Sequence, residues 1–312
     1  MIRTVSIFIL LYKNQELIKP ALQSIFSQKI PDELEVELII SDDASPCFDC
    51  RKLNYLIDEI SRTNKKIRHK ILRQNQNLGT VKHLNSVLTN LCGDIIIPLG
   101  VDDALYDEYT IHSIVDFFNN NQCLVVTGRR VIYEKGFSKE LYRAPSARLD
   151  PLFMSEDQSK LLSYMYKNGN VISGASTYYH RELFKITDSF DENYHLLEDF
   201  PFYIKLLSSG FRIHLMDRPV IKYQLGGIST SDHINPLLKA DFVKLYQKLL
   251  IDSNSGKKHR RHIQFKLFKF DAYKLSFFER LGLLDVVFIN HLRIFIGRYI
   301  MLWRRLRKFF DF

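Results

Sequence analysis

Over its first 129 residues the chain repeats one pattern, an apolar run of strand length followed by a segment with helical spacing, and few architectures accept it. Val5–Leu11 reads as a strand. Gln15–Ser27 reads as a helix with Leu17, Ala21, Leu22, Ile25 and Phe26 on one face, and Leu34–Ser41 as a second strand. Helix 53–60, strand 67–72, helix 80–91, strand 94–99, helix 108–118 and strand 123–127 follow. Near-continuous apolar strands joined through helices predict an α/β fold: a Rossmann-like, mostly parallel central sheet with helices on both faces. In such sheets ligands bind beyond the carboxyl ends of the strands, so chemistry is sought there.

After Arg129 the alternation stops. Residues 130–170 read as a variable connection holding one helix, 155–166. Val171–His180 reads as a strand, Pro201–Ser208 as a helix, 211–215 and 220–224 as strands, and Pro236–Leu250 as a helix. These boundaries divide the chain into a domain over 1–231, with halves 1–129 and 130–231, then a helix and linker over 232–256, with Asp252–Lys258 the linker candidate, and a tail over 257–312.

The charge follows that division. The chain of 312 residues carries a formal net charge of +9. Residues 257–312 hold fourteen Lys and Arg against four Asp and Glu, so the body before them is close to neutral. In the tail, Phe288, Leu292, Phe295, Tyr299, Trp303, Leu306 and Phe310 fall on one face of a helix, and Arg293, Arg304, Arg305, Arg307 and Lys308 fall off it. Basic residues opposite Trp, Phe and Leu predict an amphipathic helical extension lying in a membrane interface; the alternative is a helix docked on the domain. A membrane span is not expected, because 281–303 includes Asp285, Asn290, His291, Arg293 and Arg298.

The four cysteines do not form a disulfide framework, and Cys47 and Cys50, a C-x-x-C without a second pair at zinc spacing, read as loop thiols; Cys92 and Cys123 sit singly in apolar stretches. Val5–Leu11 is too short for a secretory core with its cleavage site, so the expected compartment is the cytoplasm, with the tail peripheral on the inner face of the cell membrane.

Two strand ends carry paired acids, Ser41-Asp42-Asp43-Ala44-Ser45 and Leu99-Gly100-Val101-Asp102-Asp103. Such pairs cap helices or form Asx turns. Two pairs at neighbouring strand ends also crowd negative charge that a divalent metal, Mn2+ or Mg2+, would neutralise while bridging to a diphosphate. Between them lies Asn77-Leu-Gly79-Thr80, a strand-to-helix turn whose glycine permits close approach of an anion to a helix N-terminus, with Lys82, His83 and Asn85 on the helix.

The ordered series Val5–Tyr12, Glu37–Ser45, Asn77–Asn85 and Gly93–Asp103, continued by Val171–Phe184, Phe190-Asp-Glu, Leu197-Glu-Asp199 and Tyr223–Thr230, resembles the family 2 glycosyltransferases with the GT-A fold, and among them enzymes of bacterial capsule, O-antigen and exopolysaccharide synthesis. The resemblance implies a nucleoside held by Asp42 and Asp43 after the first strand end at Leu11 and Tyr12. It implies a metal on Asp102 and Asp103 with Asp102 also at the nucleotide, phosphate contacts at Gly79 and Lys82, and Asp199 as catalytic base beside Glu198. Ser173 and Gly174 fall on its acceptor side. It also implies a nucleotide-sugar donor, UDP-linked, and a glycan acceptor, lipid-linked. The chain departs from the family pattern at Gly100, where many members have Asp, at Leu11, where a polar residue is common, and at Gln224, where many have Arg, with no His following.

Several residues admit plainer readings. Asp199 precedes Phe200-Pro201 and also reads as a helix start; Lys82 also reads as a solvated helix face, and Gly174 as a packing glycine. Two other function classes compete. A sugar nucleotidyltransferase needs a glycine-rich loop after the first strand, and Leu11-Tyr-Lys-Asn-Gln-Glu16 has no glycine. A nucleic-acid binder would use the basic tail, but there the aromatic residues lie apart from the charge, so nucleic acid is not an expected partner.

Overall fold

The computed structural model describes residues 1–62, 64–226, 234–251, 253–273 and 286. Two compact units emerge, one of residues 1–165 with 169–238 and one of 166–168 with 239–312.

In the first unit the elements run β1 (Thr4–Leu11), α1 (Lys19–Phe26), β2 (Glu35–Asp42), α2 (Cys50–Ser61), β3 (Ile67–Arg73), α3 (Thr80–Leu88), β4 (Ile95–Pro98), β5 (Ala104–Leu105), α4 (Thr110–Asn121), β6 (Val125–Tyr133), β7 (Glu140–Ala144), α5 (Asp150–Met154), α6 (Ser159–Asn168), β8 (Thr177–His180), α7 (Leu183–Ile186), α8 (Asp199–Ser208) and β9 (His214–Gln224). Among the described residues one sheet holds the nine strands in the order β3-β2-β1-β4-β8-β6-β9-β5, with β7 paired to β6. The strands β3, β2, β1 and β4 are mutually parallel, the inner three as their apolar runs require and β3 as the exposed edge. β8 is antiparallel to both β4 and β6, while β9 returns parallel to β6. The architecture is the expected α/β one.

Alternation along β1 sorts the two faces. Ile7, Ile9 and Leu11 join a buried cluster with Leu22 and Ile25 of α1, Ile57 of α2 and Ile114 of α4. Phe8 and Leu10 face the other way, toward Leu84 and Leu88 of α3.

Differences from the sequence expectation fall mainly where the alternation stops. β6 continues to Tyr133 because it turns at Gly136, φ +73°, into the unexpected strand β7. The strand expected over 171–180 is extended only from Thr177, after a tight turn at Gly174–Ser176. The two short strands expected over 211–224 are one strand, β9, whose register against β6 shifts near Arg129. The helix expected from Gln15 is a single turn at Gln15–Leu17 followed by α1. Cys47 and Cys50 are free and exposed, Cys50 being the first residue of α2 behind its cap Asp49, whose carboxylate accepts the Lys52 N–H at 2.9 Å; Cys92 is exposed and Cys123 buried.

In the second unit, α9 (Pro236–Ile251) and α10 (Ser253–Lys269) follow each other, so the residues expected to form a linker are helical from Ser253. Phe242 and Tyr246 stack on Phe270 with centroids 5.9 and 6.2 Å apart. Lys266 lies over the Tyr246 ring, and burial, with Lys269 nearby, pulls its ammonium down to about 8. Among the described residues no helix is long and apolar enough to cross a membrane. The tail's apolar face, 288–310, and Ile228–Thr230 lie outside the described residues.

Candidate active site

The site forms where the carboxyl ends of β1, β2 and β4 meet the start of α8. Parallel register brings Leu11 opposite Asp42 and Asp42 opposite Arg73. Leu11 is buried, and its carbonyl accepts the Asp43 N–H at 2.8 Å; Tyr12 is exposed beyond it. Leu11 therefore offers a ligand no side chain, consistent with its apolar type.

Asp42 and Asp43 have separate tasks. Asp43 Oδ1 accepts the Leu78 N–H at 2.8 Å, and Oδ2 accepts from Gly79 N–H and Asn77 Nδ2, both at 3.0 Å, so this carboxylate holds the loop that opens α3. Asp42 Oδ2 accepts the Ser45 N–H at 2.9 Å, with Arg73 Nε at 3.6 Å, while Oδ1 is buried without a hydrogen-bond partner. A buried carboxylate oxygen left open is costly unless a donor reaches it, which marks Asp42 rather than Asp43 as the acid with capacity for a ligand. Gly79 has φ +79°, a conformation only glycine adopts easily at the start of α3. Lys82 is exposed. His83 is buried against Ser41 Oγ at 2.7 Å, and burial holds its imidazole below the usual range despite the nearby Asp43 and Asp42.

The second acid pair is organised by Gly100 and Gln224. A Cβ at Gly100 would lie 2.4 Å from Asp103 Oδ2, so the absent side chain is what lets the Asp103 carboxyl fold back over the turn. Asp103 Oδ1 accepts the Gln224 N–H at 3.1 Å, and Gln224 bridges further, donating from Nε2 to the Asp102 carbonyl and accepting the Gly136 N–H, each at 2.5 Å. Asp103 is buried, and burial together with the Asp102 charge pushes its carboxyl up to about 8. Among the described residues no group of three or more His, Cys, Asp or Glu could hold a metal. The pair fits instead a cation that keeps one or two protein carboxylates and completes its shell with substrate phosphate; such a charge would reverse the raised affinity of Asp103 for a proton.

Asp199 opens α8. Its Oδ2 accepts from Asn170 Nδ2 at 3.0 Å and the Gly174 N–H at 3.3 Å, and Oδ1 from the Phe200 N–H at 2.6 Å, so it both starts the helix and turns toward the sheet. Burial raises its carboxyl above the ordinary range, against the pull of those bonds and of Arg130. A Cβ at Gly174 would stand 3.5 Å from Asp199 Cβ and 3.6 Å from Glu198 Oε1, which puts Gly174 and Glu198 beside the same acid. Ser173 Oγ accepts from Arg130 Nη1 at 3.0 Å.

Arg130 is the residue that sequence reasoning missed. It lies over the Tyr223 ring at 4.9 Å, its charge acts on both Asp103 and Asp199, and its Nε is buried without a hydrogen-bond partner. The Arg129-Arg130 doublet was the available signal. In β6 the neighbours point apart: Arg129 makes a two-bond pair with Asp150 at 2.8 and 2.7 Å and reaches Asp217, locking β6 to α5 and β9. Asp199, Glu198 and Gly174 help to line a cavity of about 210 Å³.

A model of the Glycosyl transferase family 2 matches residues 6–187. The chain belongs to glycosyltransferase family 2. The matched span contains both acid pairs, Gly79, Ser173 and Gly174, and ends before Glu198 and Asp199. Two solved structures share the fold of this family 2 chain. S. aureus TarS 1–349, in complex with UDP-GlcNAc, is 17% identical over 91% of this chain and 79% of that one, TM-score 0.56. The mannosyltransferase PcManGT from Pyrobaculum calidifontis, in complex with GDP-Man and Mn2+, is 16% identical over 86% of this chain, TM-score 0.54, and this chain spans 64% of its length. No curated protein sequence matches the family 2 chain.

Proposed function

We propose that the protein is an inverting, metal-dependent glycosyltransferase that moves a sugar from a UDP-linked donor to a hydroxyl of a glycan acceptor, lipid-linked, in bacterial surface polysaccharide synthesis. The observation that carries the transfer chemistry is that Asp199 at the start of α8 and Gly100, which opens the turn holding Asp102 and Asp103, line one cavity, with the Arg130 charge acting on both Asp103 and Asp199. Membership of family 2 and the fold shared with proteins solved with UDP-GlcNAc or GDP-Man and Mn2+ support it. The lipid-linked acceptor and the inner membrane face rest on the basic tail.

A divalent cation on Asp102 and Asp103 would neutralise charge developing on the departing diphosphate. Asp199 takes the proton of the acceptor hydroxyl, and its raised proton affinity suits a general base. The acceptor oxygen forms a bond to the anomeric carbon as the bond to the diphosphate oxygen breaks, and one displacement inverts configuration. Arg130 adds a fixed positive charge beside the reacting groups.

The test is transfer or donor hydrolysis by the purified chain with Mn2+ or Mg2+ across UDP-, GDP- and dTDP-sugars. Turnover that needs the metal and drops in Asp199→Asn supports the proposal. No turnover with any donor, or transfer unchanged in Asp199→Asn, overturns it.

A further inference from the structure

The cavity beside Asp199 has a composition unlike that of a general sugar site. Its lining is mostly apolar, with Phe8, Leu10, Leu84, Leu88, Leu99 and Phe190 prominent, while Thr80 supplies one hydroxyl and Glu198 and Asp199 the carboxylates. Tyr179 contributes a ring, but its hydroxyl lies 3.0 Å from the Tyr203 hydroxyl and is engaged there. The Leu99 N–H is likewise taken, by the Phe8 carbonyl at 3.0 Å. A hydroxyl placed against these apolar side chains, away from Thr80 and the two carboxylates, would lose its water and gain no partner from them. An apolar cavity of about 150 Å³ already accepts a benzene-sized guest, so the volume of about 210 Å³ suffices for one face of a pyranose ring with a substituent.

On the reading of the site as one of glycosyl transfer, a sugar whose diphosphate sits at the Gly100–Asp103 turn, and whose anomeric carbon must face a hydroxyl activated by Asp199, stands over this cavity. We infer that the donor sugar carries a methyl group that enters it, as the methyl of a 2-acetamido group or of a 6-deoxy carbon, and that the apolar lining selects such donors against plain hexoses.

The test uses the full chain with Mn2+. Binding of UDP, GDP and dTDP alone is measured first by calorimetry. For the nucleotide that binds, three donors follow: the plain hexose, its 2-acetamido counterpart and its 6-deoxy counterpart. One of the two methyl-bearing donors is expected to bind about tenfold tighter than the hexose or better, the range a single methyl-sized group commands in an apolar pocket, and which one it is tells the two sources apart. Leu88→Phe, which adds bulk to the cavity lining, is expected to shrink that preference severalfold by weakening the methyl-bearing donor. Equal binding of all three donors, or preference for the plain hexose, with the bare nucleotide still bound, overturns this inference and leaves the transferase reading intact. Failure of every nucleotide to bind overturns both.

Discussion

Asp103 and Gly100 show how one missing side chain reshapes an acidic site. With no Cβ at 100, the Asp103 carboxyl folds onto the backbone and is buried beside Asp102. The folded-state value near 8 exceeds the ordinary 3.8, so between those values the folded protein holds a proton that the unfolded chain releases. Stability then falls as pH rises from about 4 to 8. Thermal melts of the metal-free protein should show that decline, and Asp103→Asn, which keeps an acceptor for the Gln224 N–H and cannot ionise, should flatten it while abolishing metal-dependent turnover. Gly100→Ala drives a methyl into the Asp103 carboxyl, whose short side chain can swing aside; the expected outcome is a nearly unchanged melting temperature with weakened metal-nucleotide binding. For Asp199→Asn, transfer should drop by about 10²–10⁴, with nucleotide affinity retained in calorimetry.

At the scale of elements, β6 separates two arginines by strand alternation: Arg129 braces the sheet and Arg130 enters the site. Arg130→Met should cut turnover by about 10²–10³. Because Arg130 pulls Asp199 downward, its loss should also move the acid limb of the rate profile to higher pH, a shift that mere loosening of β6 would not produce. The junction of β1 with the start of β4 is packed against backbone. A Cβ at Gly93 would stand 2.2 Å from Ser6 N and 2.7 Å from the Val5 carbonyl carbon, where nothing can swing away. Gly93→Ala should therefore destabilise by about 1–3 kcal/mol or more, read from the urea midpoint. Apart from the two-residue β5, the elements up to β6 were legible because β1, β2 and β4 are near-continuous apolar runs and each helix has one apolar stripe. The brevity of β8 and the fusion of 211–224 into β9 were not, since those strands are set by partners distant in sequence, such as Val126 opposite Tyr178 and Arg130 opposite Ile221, and β7 was not, since Glu140–Ala144 is an exposed polar hairpin arm without an apolar run.

For the whole molecule, the excess positive charge lies entirely in residues 257–312, where fourteen Lys and Arg face four Asp and Glu. If that segment attaches the protein to anionic lipid, the full chain should co-sediment with phosphatidylserine vesicles at low salt, detach at about 1 M salt where the screening length is near 3 Å, and bind less after Arg304, Arg305, Arg307 and Lys308 are changed to Gln. Retention on neutral vesicles alone, or none at all, would sink the membrane reading. The sequence by itself determined the layered sheet, the acid pairs at its strand ends and the family, because periodicity and motif order are local properties that survive without coordinates. Only the tertiary structure decided the division of labour: Asp43 as loop anchor, Asp42 with an open oxygen, Asp103 folded over Gly100, and Arg130 acting on both Asp103 and Asp199. Those roles depend on which groups meet across β2, β4, β6 and α8, and such meetings are set by register and packing rather than by spacing along the chain.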